Sequence, residues 1–299
     1  MRHFIDHTCV PGMNSWVPWS DAEEVFSSGK IHYAGQSIGL ILADTPELAQ
    51  KAVGLVKVTY KNKKPVVVGV KEAMKDPKRV VTDFPDFFGF KPAPMSVGDT
   101  KKEESRDDVQ IIEGDIDLGK QYHFFMEGLT AVCRPMEDNQ LKLYVTTQWM
   151  DFVQNLVMGA TGLPKNKIDV EVRRLGGGYG GKCTPSFFIA VATAVACRKV
   201  NKPVRLVMDL KSIMSFIGMR EQYYAQYKVG VDKTGMLQSV DLTVNVGTGW
   251  TCSESMTIAE CLPFMQNVYN AKAWSMVPKG IVVDIARGTA ARAPGTTQV

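Results

Sequence analysis

A run of glycines places the strongest constraint on how this chain folds. Five of the six residues from Gly176 to Gly181 are glycine, the exception being Tyr179. Glycine loses more backbone freedom on folding than any other residue, so such a run indicates left-handed backbone conformations or a backbone that approaches another group closely. We therefore expect residues 175–183 to carry the functional site.

The segments on either side of this loop predict a strand before it and a helix after it. Residues 168–172 alternate apolar and charged side chains, the period of a strand with one buried face. Thr184 suits the cap of the following helix, Pro185 suits its first turn, and residues 187–197 are apolar on nearly every face. Because the free N–H groups and dipole of a helix N-terminus attract anions, the loop is predicted to bind an anion.

The same loop nearly matches the phosphate loop of nucleotide-binding proteins, G-x-x-x-x-G-K-[ST]. Gly176, Gly181 and Lys182 fall on the first three fixed positions, but Cys183 stands where a hydroxyl would ligate magnesium, and a thiol is a poor magnesium ligand. Nucleotide binding therefore stays one alternative, and a tight packing turn without a ligand is another.

The composition is that of a soluble globular protein. The 299 residues suffice for one large or two ordinary domains, and a net charge of +4 does not argue for nucleic acid or an anionic membrane as partner. The apolar run 187–197 is too short to cross a bilayer, and no secretory signal follows Met1, so we expect a cytoplasmic protein. Six scattered cysteines without a C-x-x-C pair favour reduced thiols over disulfides or zinc.

The first hundred residues predict a small β-α-β unit followed by a linker. Turn-rich sequence, a strand, a helix opened by Thr45 and Pro46, and a second strand are expected at residues 1–20, 31–43, 45–56 and 57–60. Residues 61–105 are rich in proline and charge, so we expect a linker over the surface, with a solvated charge run at residues 101–104.

The remainder predicts mixed strands and helices. Strands are expected at residues 110–118, 129–134, 141–147, 168–172 and 204–209, helices at 152–160 and 256–267, and a hairpin from 223–231 and 237–246. Gln148 and the glycine loop each follow a strand and precede a helix. If those two strands run parallel, both features lie at one sheet edge, where open α/β sheets bind ligands.

Three ordered motifs carry a family resemblance. Residues 121–127, 145–148 and 173–182 resemble the molybdenum-cofactor portion of the aldehyde oxidase/xanthine dehydrogenase family, and residues 29–36 and 43–49 resemble its hammerhead domain. The resemblance implies an α+β fold: an α/β hammerhead domain at residues 1–62, N-terminally incomplete, a linker at 63–85, and a first molybdopterin-binding domain at 86–299, truncated at its C-terminus.

The resemblance also implies roles for individual residues. The family's glutamine that hydrogen-bonds an oxo ligand of molybdenum falls on Gln148, and its loop backbone beside the metal falls on Gly178, Tyr179 and Gly180. The family's later arginine falls on Arg292. Amide, N–H and guanidinium groups are suitable partners for an anionic metal-oxo group and phosphate. We expect Gln148, Tyr179 and Arg292 to face a common cavity close to molybdenum.

The predicted substrate residues depart from the pattern of xanthine-oxidising members. Cys183 replaces a glutamate, Glu260 an arginine and Pro294 a phenylalanine. These departures disfavour a purine, and the resemblance then implies hydroxylation of a small aldehyde to a carboxylic acid with oxygen derived from water. His123 is interpreted as a packed histidine, and no histidine lies near Cys183 in the sequence to favour it as a nucleophile.

The resemblance implies that further parts of such an enzyme lie outside this sequence. The glutamate base and second molybdopterin-binding domain would follow Val299, and the [2Fe–2S] and FAD domains would precede Met1 in a parent expected to be a homodimer. The chain alone is then expected to be inactive. A nucleotide-binding protein and a non-catalytic remnant of the family remain the alternatives.

Overall fold

A computed structural model describes residues 3–17, 21–86, 89, 91–254 and 256–295. Within these residues the helices are α1 Pro46–Val53, α2 Val70–Ala73, α3 Thr100–Glu104, α4 Met150–Thr161, α5 Pro185–Val200, α6 Leu210–Phe216 and α7 Met256–Phe264. The strands are β1 His3–Ile5, β2 Leu40–Leu42, β3 Val80–Val81, β4 Met95–Val97, β5 Val109–Leu118, β6 Thr130–Pro135, β7 Leu141–Val145, β8 Ile168–Glu171, β9 Val204–Val207, β10 Gln222–Asp232, β11 Leu237–Gly249 and β12 Ala273–Val282.

The chain forms two compact units, each built from two segments. The first unit contains Met1–Val66 and His123–Ile217, and the second contains Val67–Tyr122 and Gly218–Val299. The expected α+β fold class is confirmed. The first unit combines residues from both predicted domains. The domain boundaries predicted from the sequence stay a prediction.

The principal sheet of the first unit has the strand order β8-β7-β6-β9. Strands β7 and β8 run parallel, whereas β6 is antiparallel to β7 and β9. Helix α5 packs on this sheet and is buried at every residue from Pro185 to Cys197, as its continuous apolar sequence predicts. Neither α5 nor any other helix in the described residues is long and apolar enough to span a membrane.

The small element at the start of the first unit is only partly as predicted. Strands β1 and β2 pair antiparallel, and α1 begins where expected, with the Thr45 hydroxyl accepting a hydrogen bond from the Leu48 N–H. The predicted strand 31–43 shortens to β2. The predicted strand 57–60 is wrong: these residues are exposed and, in the part of the chain described, pair with no strand.

The second unit is built on a sheet with the order β3-β12-β11-β10-β5, and β4 also pairs with β12. The predicted hairpin is confirmed as β10 and β11. The Asp232 carboxylate accepts hydrogen bonds from the N–H and hydroxyl of Thr234, and Gly235 takes a φ of 85°. An aspartate followed by a left-handed glycine stabilises such a turn, which explains why the sequence predicted it.

The long strand β12 was not predicted. It runs parallel to β11 and contains Pro278, and proline within a run argues against a strand because it lacks the N–H. On the other edge of β12, β3 and β4 pair with residues 280–281 and 274–276. Pro278 falls between these two short pairings, where a missing N–H is tolerated.

The segment predicted to be a surface linker is partly built into the second unit. Val70 and Ala73 of α2 are buried and pack with Ile281 and Val283. The charge run at 101–104 is not merely solvated either, because it lies in α3 and the Glu104 carboxylate forms an ion pair with Lys228. Charge alone did not reveal this partner, which lies more than a hundred residues away.

Two helix-terminal glycines in the first unit are predicted to respond oppositely to alanine. Gly162 ends α4 with a φ of 68°, whereas Gly54 ends α1 with a φ of −63°, and neither site blocks a Cβ atom. Gly162→Ala is expected to lower the free energy of unfolding by about 1 kcal/mol because a left-handed alanine is strained. Gly54→Ala is expected to raise it by about 0.5 kcal/mol, since the unfolded chain loses freedom. Urea denaturation with equal m-values measures both, and equal effects would contradict the assigned backbone conformations.

Candidate functional site

The ends of strands β7 and β8 bring two predicted site features together. Because these strands run parallel, the segments that follow them lie at the same sheet edge. The Gln148 Oε1 atom accepts hydrogen bonds from the backbone N–H groups of Gly180 at 3.1 Å and Lys182 at 3.2 Å. The Gln148 N–H donates in turn to the Lys182 carbonyl at 2.8 Å. The inference that both features share one edge is therefore confirmed.

These contacts fix which way the Gln148 amide faces. Its oxygen is the atom that can accept from two N–H groups, so Oε1 must face the glycine loop and Nε2 must face away from it. Among the described residues, no protein atom accepts a hydrogen bond from Nε2, and the side chain is exposed. The Nε2 atom of Gln148 can thus donate two hydrogen bonds to a bound ligand.

Close packing around the loop explains its glycines. A Cβ atom at Gly178 would collide with the Gln148 amide oxygen, and one at Gly176 would lie 2.6 Å from the Cβ atom of Glu127. A larger residue at either position would push the loop away from Gln148 or Glu127. The sequence predicted close approach of the backbone, and the approaching groups include these two side chains.

Tyr179 lies at the tip of the loop. The Gly181 N–H donates to the Gly178 carbonyl at 2.8 Å, which closes a turn around Tyr179 and Gly180. Tyr179 takes a φ of 54° and is 46% exposed. A left-handed tyrosine is uncommon and strained, and such residues cluster at ligand sites. The loop thus presents Tyr179 at its tip, whereas Gly178 is buried and Gly180 is half-buried.

The side chain beneath the loop that sequence reasoning missed is Glu127. Its Oε2 atom accepts hydrogen bonds from Lys182 Nζ at 2.7 Å and from the Gly176 N–H at 2.9 Å. Lys182 has no exposed surface, and its ammonium group lies 5.0 Å from the centre of the Phe125 ring. The only signal was an acidic residue ending the aromatic segment 121–127, and no spacing rule links it to a lysine 55 positions later.

The pKa of Glu127 reflects this environment. Burial raises the pKa, but the hydrogen bonds from Lys182 and Gly176 lower it more, so that the net pKa lies below its ordinary value. The carboxylate is therefore charged at neutral pH and balances the buried ammonium group of Lys182.

The lysine contact also decides against the phosphate-loop interpretation. In a nucleotide-binding loop the lysine extends to the phosphates of the ligand. Here Lys182 Nζ is buried and bonded to the Glu127 carboxylate, so it is not available as a phosphate ligand.

The start of α5 differs in one detail from the prediction. Pro185 occupies the first turn as expected, but Thr184 is helical and its side chain makes no capping hydrogen bond. The Ser186 hydroxyl instead bonds the carbonyls of Lys182 and Cys183 at 3.0 and 2.8 Å. These hydrogen bonds fix the end of the loop to the start of α5 through the carbonyl groups of the loop.

His123 packs beneath the loop, in agreement with its interpretation as a structural residue. It is 9% exposed, its ring lies 6.2 Å from that of Phe125, and a Cβ atom at Gly181 would contact both rings. The described residues contain no cluster of metal-ligating side chains.

The predicted substrate residues are divided between the two units. Cys183 lies half-buried in the first unit. Glu260 on α7 and Pro294 lie half-buried in the second, where burial raises the pKa of Glu260. A Cβ atom at Gly295 would collide with Cys261, so the segment carrying Pro294 packs closely on α7.

Arg292 belongs to the second unit, in the loop after β12. Its side chain is exposed, and its carbonyl accepts a hydrogen bond from Arg220. Gln148 and Tyr179 belong to the first unit, so the cavity predicted for these three residues stays a prediction.

Replacing Glu127 and replacing Lys182 are predicted to lower the free energy of unfolding by different amounts. Glu127→Gln removes the negative charge next to a buried ammonium group and should cost about 3 kcal/mol of unfolding free energy. Lys182→Met leaves a carboxylate that is 40% exposed and can be hydrated, so it should cost clearly less. Denaturant titration measures both, and a larger loss for Lys182→Met would contradict the assignment.

The pH dependence provides the control for this pair. Because the pKa of Glu127 is lowered by folding, its contribution is fully present above its unfolded pKa and is lost as the pH falls through its folded pKa. Glu127→Gln should abolish this component of acid destabilisation, whereas an unchanged pH profile would show that the carboxylate is not stabilised in this way.

Comparisons with known proteins identify the family of this chain. Residues 84–299 match the molybdopterin cofactor-binding domain family, and residues 2–64 match the aldehyde oxidase and xanthine dehydrogenase a/b hammerhead domain. The chain is 32% identical over 290 residues to probable aldehyde oxidase 3 of Oryza sativa subsp. japonica, covering 96% of this chain and 21% of that protein. It is 31% identical over 249 residues to xanthine dehydrogenase of Drosophila subobscura, covering 83% and 18%.

A solved structure shows the same fold. The aldehyde oxidoreductase from Desulfovibrio gigas superposes with a TM-score of 0.81 at 20% identity, covering 99% of this chain and 33% of that one. The chain spans about one fifth of the length of the curated relatives it matches. On these matches, the chain belongs to the molybdopterin cofactor-binding domain family of the aldehyde oxidases and xanthine dehydrogenases.

Proposed function

We propose that this chain binds the molybdenum cofactor within an enzyme that oxidises aldehydes to carboxylic acids. The observation that carries the proposal is the Gln148 amide, whose oxygen is held by two loop N–H groups and whose Nε2 donors have no acceptor among the described residues. Oxo and phosphate oxygens are strong hydrogen-bond acceptors, so the donors present fit this cofactor.

The residues of this chain have distinct tasks in the proposal. Gln148 donates hydrogen bonds from Nε2, and the backbone of Gly178, Tyr179 and Gly180 lies against the bound group. Glu127 and Lys182 keep the loop in place beneath them. When bound, the cofactor supplies the two-electron redox chemistry of the hydroxylation. Arg292 stays the predicted partner of an anionic group.

The substrate class rests on the three departures from the xanthine-oxidising pattern. A purine carries several ring donors and acceptors, and each one left unpaired in a closed pocket costs about 1–3 kcal/mol. Cys183 offers only a weak S–H donor, Pro294 offers no side-chain donor, and Glu260 has the opposite charge to the arginine it replaces. An aldehyde needs mainly an apolar slot and one polarised carbonyl. We therefore propose an aldehyde substrate.

The wider context is part of the same proposal. The parent enzyme would also contain [2Fe–2S] clusters, FAD and the glutamate base of the family, and would be a cytoplasmic homodimer that binds neither nucleic acid nor membrane. General-base catalysis typically contributes about 10²–10⁴ in rate, so this chain without that base is proposed to be inactive.

Gln148→Glu tests cofactor binding. A carboxylate can still accept from Gly180 and Lys182, so the loop should stay in place, but it cannot donate and it repels an anion. Loss of hydrogen bonds to a charged group should weaken cofactor retention by about 10-fold or more. Molybdenum per chain in the purified parent enzyme measures this, with Gln140→Glu as a control at an exposed position of the same unit. Equal molybdenum contents in both variants would contradict the role of Gln148.

The isolated 299-residue chain provides a second test. Supplied with molybdenum cofactor, an aldehyde and a dye acceptor, it should show no turnover above background. Sustained oxidation would show that the base and electron exit path are not required from elsewhere.

Substrate preference provides the third test. The parent enzyme should have a higher kcat/KM for benzaldehyde than for xanthine, because the purine ring finds too few partners among Cys183, Glu260 and Pro294. A ratio that favours xanthine would rule out the aldehyde assignment while leaving the family unchanged.

A further inference from the structure

The loop that carries Arg292 is held by a second, buried arginine. Arg220 is 6% exposed and lies just before β10, where its backbone pairs with that of Gln121. Its guanidinium group donates from Nε to Gln121 Oε1 at 2.8 Å, from one terminal nitrogen to the Ala293 carbonyl at 3.1 Å, and from the other to the Arg292 carbonyl. All of these residues belong to the second unit.

The conformation of this loop depends on such support. Ala293 has a φ of 56°, a left-handed conformation that is unfavourable for alanine and is retained only where the surroundings enforce it. The Thr289 N–H donates to the Met219 carbonyl at 3.2 Å, and Gly295 packs on Cys261. The Arg220 contacts lie between these two attachments, at Arg292 and at the left-handed Ala293.

The geometry requires the fork of a guanidinium group. Three donors of one rigid plane satisfy one side-chain oxygen and two successive carbonyls, whereas a lysine ammonium is a single point that cannot reach all three in this arrangement. The Arg292 side chain itself remains exposed. Arg220 therefore fixes the backbone of Arg292 without occupying its guanidinium group.

We propose that Arg220, oriented by Gln121, is a positioning residue that sets the backbone of the Arg292 loop so that the Arg292 guanidinium group can contact the anionic cofactor. This inference rests on the proposed function, because that function assigns Arg292 to the cofactor. It adds a residue that acts only through Arg292.

A double-mutant cycle in the parent enzyme tests the inference. The variants are Arg220→Lys, Arg292→Ala and the double variant, with molybdenum per folded chain, kcat and KM as readouts. Arg292→Ala should lower molybdenum retention about 10-fold and Arg220→Lys several-fold, with the loss in kcat rather than in KM. The double variant should be no worse than Arg292→Ala, since two residues that act through one contact are not additive.

Two further variants separate positioning from loss of folding. Arg79→Lys disrupts a comparable arginine fork on Asp284 in the same unit, and it should leave molybdenum per folded chain unchanged. Gln121→Leu removes the acceptor that orients Arg220, so it should lower molybdenum per folded chain several-fold. It takes the place of Arg220→Lys in the test if Arg220→Lys does not fold.

The outcomes are distinguishable. If Arg292→Ala retains full molybdenum and kcat, the proposed role of Arg292 fails. If Arg292→Ala is impaired but the loss in the double variant is the product of the two single losses, or Arg220→Lys and Gln121→Leu have no effect, the positioning role of Arg220 is overturned.

Discussion

The ion pair between the buried Lys182 and the partly exposed Glu127 is the interaction on which the site depends. One carboxylate oxygen accepts from Lys182 Nζ and from the Gly176 N–H, so it connects the two ends of the glycine loop. Gln148 Oε1 connects the middle and the end of the loop through Gly180 and Lys182. Two acceptors thus close a loop that has few side-chain contacts of its own.

This arrangement explains why the loop resembles a phosphate loop without being one. An ammonium group without exposure to water is strongly destabilising unless a charge compensates it, so Lys182 and Glu127 must remain together. The loop directs its lysine inward and offers a glutamine amide and strained backbone to a ligand. In the proposed function, this part of the site provides neutral donors to the cofactor, while the charge of Lys182 stays in the protein interior.

Regular periodicity made much of the fold predictable. Strands β7 and β8, helix α5 and the β10–β11 hairpin each follow an uninterrupted pattern. The order of strand, loop and helix predicted that Gln148 and the glycine loop would share one sheet edge if the two strands were parallel, and the structure shows that they are parallel. Strand β12 escaped prediction because Pro278 interrupts its pattern. Residues 57–60 have a strand-like sequence, but strand formation also requires a partner, which the sequence pattern does not reveal.

The parts of the site marked by a local sequence motif could be predicted. The parts held by contacts between residues far apart in the sequence could not. The glycine run predicted close packing of the loop backbone. The resemblance implied roles for Gln148, Tyr179 and Arg292, and those roles stay predictions. Glu127 and Arg220 were missed because each acts on a segment far away in sequence, through carbonyl, N–H or ammonium groups that leave no local motif.

In the proposed site, the glycine loop holds the Gln148 oxygen so that Nε2 faces the cofactor. A crystal structure of the molybdenum-loaded parent enzyme tests it most directly. The account predicts a distance of about 3 Å from Gln148 Nε2 to a cofactor oxygen, with Oε1 still accepting from Gly180 and Lys182. A Gln148 side chain that turns away from the loop, or a cofactor with no oxygen in hydrogen-bonding distance of Nε2, would contradict it.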